Sequence, residues 1–191
     1  MNVKNERLKY LSEKVSNCTF CPLHKSKQYP AFGMGNLNSS IVVVGDAPRF
    51  EDTYSEKPMT GDELFLLEDL AAKSNMNINK WYITTAVKCN TPDERTPKPD
   101  EILKCRPYLL KQLGIIKPKV IVALGKVAIH SLFGEKLEIS DLRRKEIDFE
   151  FFNAKVFPTY HPKYYVHQPN KKDIGFNDFY RLKKLIRREC F

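Results

Sequence analysis

Ile41-Val42-Val43-Val44-Gly45-Asp46-Ala47-Pro48 is the stretch on which the fold turns. Four apolar, β-branched residues in succession leave no polar face, so the segment reads as a strand buried on both sides, and Gly-Asp-Ala-Pro ends it. Three further segments share that character: Trp81 to Val87, Val120 to Leu124 and Val156 to Tyr160. Helical patterns lie around and between them. Leu8, Leu11 and Val15 share one face of an N-terminal helix, and Thr60-Gly61-Asp62-Glu63 has capping-box spacing before Leu64, Leu67 and Ala71. Pro99-Asp100-Glu101 starts another helix, which Pro107 is expected to interrupt, and Gly125 opens one that runs to Phe133-Gly134. Strands that alternate with helices imply an α/β fold, a parallel sheet covered on both faces, with ligands at the carboxyl ends of the strands. Those ends are Gly45 to Pro48, Thr85 to Cys89, Gly125 and His161-Pro162, where the chemically unusual residues of the chain collect.

The 191 residues suffice for one core, and no repeat or low-complexity linker divides them, so a single domain over 1–191 is expected. No apolar run approaches the roughly 20 residues that span a bilayer. The charged start Met1-Asn2-Val3-Lys4 lacks a signal-peptide core, which points to a cytoplasmic protein with no membrane partner. The net charge of +9 suits a polyanion and would make nucleic-acid binding weaken as salt rises, although basic charge alone is shared by many proteins that never meet DNA. From Phe176 to Arg188 an amphipathic helix turns Phe179, Leu182, Leu185 and Ile186 inward and Arg181, Lys183, Lys184, Arg187 and Arg188 mostly outward; contact with the DNA backbone would suit it, but a solvated face is the more common explanation.

Cys18 and Cys21 form a C-x-x-C pair, Cys89 follows the second long strand, and Cys105 lies in the helix beyond. Disulfides do not suit a cytoplasmic chain. Four thiolates hold either a tetrahedral zinc ion or an iron–sulfur cluster, and the residue types do not choose between them. Cys190 has no place in this pattern.

The ordered set Cys18 to Cys21, Gly45-Asp46-Ala47-Pro48, Pro58-Met59-Thr60-Gly61, Tyr82 to Cys89, Arg95 to Glu101, Cys105 and His161-Pro162 resembles the family 4, iron–sulfur uracil-DNA glycosylases. Each piece is short, but in sequence they cover most of the chain. The resemblance implies a three-layer α/β/α domain with a four-stranded, mainly parallel sheet. It also implies a structural [4Fe-4S] cluster on Cys18, Cys21, Cys89 and Cys105, with zinc as the alternative, and DNA as the partner of a monomer. The activity it implies is hydrolysis of the bond between a base and its deoxyribose.

Such an enzyme must swing its target nucleotide out of the stack and stabilise a departing base anion beside a cationic sugar. The resemblance gives His161 the role of donor to the base carbonyl and Asp46, one methylene shorter than the family's glutamate, that of acid near water and sugar. Glu51 and Asp52 follow closely enough to share the work. Gly45 and Ala47 let backbone approach the flipped nucleotide, Gly125 offers N–H groups to a phosphate, and Lys163, Tyr164 and Tyr165 form the loop expected to press into DNA, a tyrosine serving as wedge. Three positions depart from the family: Thr85 replaces the uracil-reading Asn, Met59 the stacking Phe, and Lys163 the Ser after His-Pro. A hydroxyl cannot reproduce the paired contacts of an amide, and a thioether is a flexible filler where a flat ring stood. These changes direct the expectation toward a modified or bulky pyrimidine, of the kind found in hypermodified phage DNA, and toward repair or phage defence. An ordinary uracil repair enzyme and a non-catalytic, cluster-bearing DNA-binding module are the alternatives. No lysine is placed as an imine-forming nucleophile, so the expected product is an abasic site.

Overall fold

The computed structural model of the chain describes residues 3–26, 29–143 and 145–191. Among them a sheet forms from β1 (Met34–Gly35), β2 (Ile41–Gly45), β3 (Tyr82–Thr85), β4 (Val120–Leu124), β5 (Ile147–Phe149) and β6 (Ala154–Thr159), in the spatial order β1-β3-β2-β4-β6-β5. The four inner strands are parallel and correspond to the four apolar segments of the sequence. The short outer strands β1 and β5 pair antiparallel and enlarge the expected four-stranded sheet to six. Segments of two or three residues are too short for a period-2 pattern to reveal.

The helices are α1 (Val3–Ser16), α2 (Phe50–Tyr54), α3 (Gly61–Lys73), α4 (Pro99–Ile116), α5 (Gly125–Phe133), α6 (Ile139–Leu142), α7 (Pro162–His167) and α8 (Lys172–Cys190). Successive side chains of a strand point to opposite faces, so each inner strand feeds two cores. Val42, Val44, Ile121 and Ala123 pack with residues of α1, α4 and α5, while Ile41, Val43, Val120 and Val122 pack with α3 and α8. The result is the three-layer α/β/α arrangement. Leu67 is completely buried in the second core, where its truncation to Ala would cost about 2–5 kcal/mol.

Two helix expectations need correction. α4 runs unbroken through Pro107. That residue is exposed, so the carbonyl it leaves without a donor faces water and the lost bond costs too little to break the helix. Thr60 does precede α3 as its cap residue, but its hydroxyl makes no capping bond; it donates to the Asp52 carboxylate, and the Glu63 side chain turns into a cleft.

Beyond β3 the chain is held by a buried lysine. Lys88 Nζ donates to Thr84 Oγ1 (2.6 Å), the Thr85 carbonyl (2.7 Å) and Gln112 Oε1 (2.8 Å), using all three of its hydrogens. Gln112 Nε2 in turn donates to the Phe32 carbonyl and Tyr82 Oη, each at 2.9 Å. This network locks α4 to the end of β3 and thereby fixes the neighbouring Cys89.

Candidate active site

At the carboxyl edge of the sheet a cleft with about 520 Å3 of open space is lined by Asp46, Ala47, Pro48, Arg49, Glu63, His161 and Lys163, with Thr91 and the 94–97 loop closing the far wall. Asp46 follows β2 directly, and His161 stands between β6 and α7. His-Pro suits this junction physically: Pro162 occupies the first position of α7, where a missing N–H costs nothing, and the His161 ring caps the helix by accepting from the Lys163 N–H through Nδ1 (3.2 Å). Acceptance at Nδ1 assigns the proton of the neutral ring to Nε2. Burial, followed by the charge of Lys163, pushes the imidazole down to about 4, so at neutral pH His161 is a neutral N–H donor.

Asp46 is shifted the opposite way. Burial first, and the negative charge of Glu63 second, raise its carboxyl to about 7, against the smaller opposing pull of Lys126 and Lys163. Asp46 Oδ1 is enclosed with no hydrogen-bond partner among the described residues. Gly125, at φ +81°, makes this possible: a Cβ built there would lie 3.3 Å from Asp46 Oδ1 and 3.3 Å from His161 Cβ. A side chain on residue 125 would crowd both groups. Asp46 and His161 thus flank the helix start whose N–H groups are expected to face a phosphate.

The expected base-pocket residues also come together. In the β2–β3 register Gly45 lies opposite Thr85, so the two side-chain positions share one face of the sheet. A Cβ on Gly45 would stand 3.5 Å from His161 Nε2 and 3.5 Å from Met59 Cε, both on that face. Thr85 is buried, and its hydroxyl has no partner among the described residues. Space at Gly45 is thus bounded by an imidazole N–H, a thioether methyl and a free hydroxyl.

Other expectations fare differently. Lys163 lines the cleft, 3.7 Å from Glu94, and Tyr164 stacks on Tyr160. Tyr165 is completely buried against α3 and α8 and is not available as a wedge; the i, i+1 pair straddles α7, and the residue facing the sheet becomes core. Neither neighbour of Asp46 shares its place. Glu51 is exposed, while Asp52 is buried and engaged, accepting from the Arg49 N–H (2.8 Å) and from Thr60.

Two residues of the cleft escape a reading by motif. Glu63 lies on the buried stripe of α3 with Leu66, Leu67 and Leu70, and a carboxylate on an apolar stripe is the signal that betrays it. Its Oε2 is 3.9 Å from His161 Nδ1. Arg49 braces the opening of α3 by donating through Nη2 to the Thr60 carbonyl (3.0 Å).

On the opposite core, Cys18, Cys21, Cys89 and Cys105 line one cavity with about 350 Å3 of open space, together with Val15, Lys88 and Tyr108. Burial pushes the Cys105 thiol up to about 11 against the opposing charge of Lys88, and the charges of Cys21 and Cys18 add to the rise, so a bound cation would favour the thiolates. Among the described residues, no three His, Cys, Asp or Glu side chains stand close enough to grip a single metal ion. Cys190 lies elsewhere, against the second core.

The class is that of the DNA glycosylases: an acid and a neutral imidazole share a cleft at the carboxyl edge of a largely parallel sheet, and the chain is a member of the uracil DNA glycosylase superfamily, whose family model matches residues 32–183. It is 37% identical over 193 residues to the Type-4 uracil-DNA glycosylase of Thermotoga maritima, covering 99% of this chain and 100% of that one. It is 33% identical over 186 residues to the Type-4 uracil-DNA glycosylase of Archaeoglobus fulgidus, 94% of each. A DNA polymerase of Bacillus phage SP01 matches at 29% over 158 residues, 82% of this chain but 17% of the polymerase. The chain is accordingly a DNA glycosylase, a hydrolase of N-glycosyl bonds that acts on DNA. No described helix is long and apolar enough to cross a membrane.

Proposed function

We propose that the chain removes a flipped pyrimidine by simple hydrolysis, with Asp46 as base and His161 as donor to the leaving group. The observation that carries this reading is the placement of both residues on one cleft, flanking Gly125. A water held by the Asp46 carboxylate attacks the sugar carbon and yields its proton to that carboxylate. The glycosidic electron pair leaves with the base, whose carbonyl oxygen takes up charge and accepts from His161 Nε2–H. A neutral donor suits an anionic leaving group without trapping it as a tight ion pair, and a carboxyl near 7 is matched to proton abstraction at neutral pH. The base then gains a proton from solvent, leaving an abasic site and an uncut strand. Lys163 is occupied by Glu94 and makes no covalent contribution in this scheme.

The base is read as a pyrimidine larger than uracil or substituted with a polar group. The support is the free Thr85 hydroxyl and the flexible Met59 methyl beside Gly45 and His161 Nε2. Uracil is the second reading, favoured by the names of the relatives. Mass spectrometry of bases freed from uracil-containing DNA and from naturally hypermodified phage DNA separates the two. Release from the phage DNA that disappears in His161→Ala supports the first, and efficient release of uracil alone overturns it.

The four cysteines fit a [4Fe-4S] cluster: the donor set is all thiol, it rings one cavity, and no ligand place is left for substrate. When bound, the cluster supplies a structural tie, not chemistry. Cys18 and Cys21 follow α1, while Cys105 belongs to α4 and Cys89 to the loop that Lys88 anchors, so the thiols join segments distant in sequence.

A further inference from the structure

We propose that Glu63 is a positioning residue of the hydrolysis, a second carboxylate that works with Asp46 by adding negative charge to the cleft in which the sugar cation develops. This rests on the reading of Asp46 as base. Glu63 enters the cleft from the first turn of α3, is buried, and stands 3.9 Å from the imidazole of His161, whose Cβ flanks Gly125 beside Asp46. Among the described residues it makes no hydrogen bond that accounts for a carboxylate at this depth: the capping bond its spacing predicts does not form, and Arg49, although its charge reaches Glu63, directs its donors to the Thr60 carbonyl and Asp52. Asp46 Oδ1, for its part, is enclosed and has no hydrogen-bond partner among the described residues, and the backbone N–H of Ala128 and the charges of Lys126 and Lys163 only partly offset burial and the charge of Glu63 at this carboxyl.

The groups that face Asp46 are Glu63 from α3, Lys126 from α5, and His161 and Lys163 at the start of α7, while Arg49, Glu94 and Arg95 stand further round the same cleft. Of the two carboxylates, Asp46 is the more deeply desolvated, whereas Glu63 is relieved by Arg49 and Lys163. In its charged form Glu63 keeps Asp46 basic. A cleft with one carboxylate would hold a weaker base; with two, negative charge accumulates where the cation forms, as in the paired-carboxylate logic of glycoside hydrolysis.

Carboxyl carbon NMR on the full chain tests the coupling without substrate. In Glu63→Gln the Asp46 titration should move to lower pH by about one unit or more, the size of effect expected from removing a like charge that shares a site. Glu63→Met, neutral and of similar volume, should do the same should Gln fold poorly, and Glu51→Gln, which removes an exposed charge, should move it far less. An Asp46 titration unmoved in a natively folded Glu63 variant overturns the proposal. Base release from a deoxyuridine oligonucleotide and from hypermodified phage DNA supplies the kinetic reading: the acid limb of kcat/KM should shift down with the NMR titration while the plateau falls. An acid limb that stays in place also overturns it. Asp46→Asn keeps the two ideas apart: retained release in that variant removes Asp46 from catalysis, while the NMR titration still decides whether Glu63 governs its carboxyl.

Discussion

Asp46 Oδ1 and His161 Cβ face the same bare α-carbon of Gly125, each 3.3 Å from the point a Cβ would occupy. Acid and imidazole arrive from different strands, β2 and β6, and meet over the first residue of α5. Gly125→Ala should therefore damage activity more than fold. The left-handed φ costs an alanine about 1–2 kcal/mol, whereas displacing a catalytic group by about 1 Å lowers rate by about 100-fold. Base-release kinetics beside a denaturant melt checks this, and an active, merely destabilised variant refutes it.

The acid of the site should be a burden on the fold at high pH. The ordinary Asp value is 3.8 and burial raises Asp46 to about 7, so between those values the folded chain keeps a proton that the unfolded chain has released. Stability from this group falls as pH rises across that window and is fully lost above it. Asp46→Asn should consequently be more stable than the parent at ~pH 8, by a few kcal/mol in order of magnitude, and nearly equal to it at ~pH 4. Thermal melts at the two values decide it, and a pH-independent difference sinks the assignment. His161, pushed down to about 4, opposes this trend only on the acid side: folding disfavours its protonation, so its contribution is lost as pH falls below its ordinary 6.5.

The fold and most of the site can be read in the chain because strand ends and chemistry coincide there. Ile41 to Gly45 and Val120 to Leu124 are buried on both faces, so hydrophobic continuity marks their bounds to the residue. The edge strands Met34–Gly35 and Ile147–Phe149 are defined by pairing alone and leave no pattern. Motif reading finds Asp46 and His161 but assigns Tyr165 to DNA, because a loop position says nothing about which side of the following helix meets the core. Glu63 is hidden for the converse reason: its spacing from Thr60 offers a local explanation, and only the tertiary fold shows that Thr60 is already engaged by Asp52.

Base choice should follow the two altered pocket residues. Thr85→Asn with Met59→Phe would replace a single hydroxyl by a paired donor and acceptor and a flexible methyl by a stacking ring. Uracil release should rise by roughly 10- to 100-fold, the scale of a bidentate base contact at ~1–3 kcal/mol, while release of larger pyrimidines declines. A double variant whose relative rates on the two DNAs are unchanged would show that these positions do not read the base.

Removing a thiol should loosen the first core without touching the cleft. Cys105 lies mid-way along α4 and lines the cavity with Cys18 and Cys21, which follow α1, so Cys105→Ser would release α1 and the loop that carries Cys21. Iron and acid-labile sulfide in equal amounts are expected in the parent and absent from the variant, together with the brown visible absorption. The variant should melt several degrees lower, since each ~1 kcal/mol lost shifts Tm by about 2–4 °C at this size. Hydrogen exchange should rise in α1 and the 18–26 segment first, because Lys88 and Gln112 still hold the 84–89 segment to α4 through direct bonds. Zinc in place of iron in the parent would overturn the cluster, and protection that is lost uniformly instead of from α1 outward would overturn the tie.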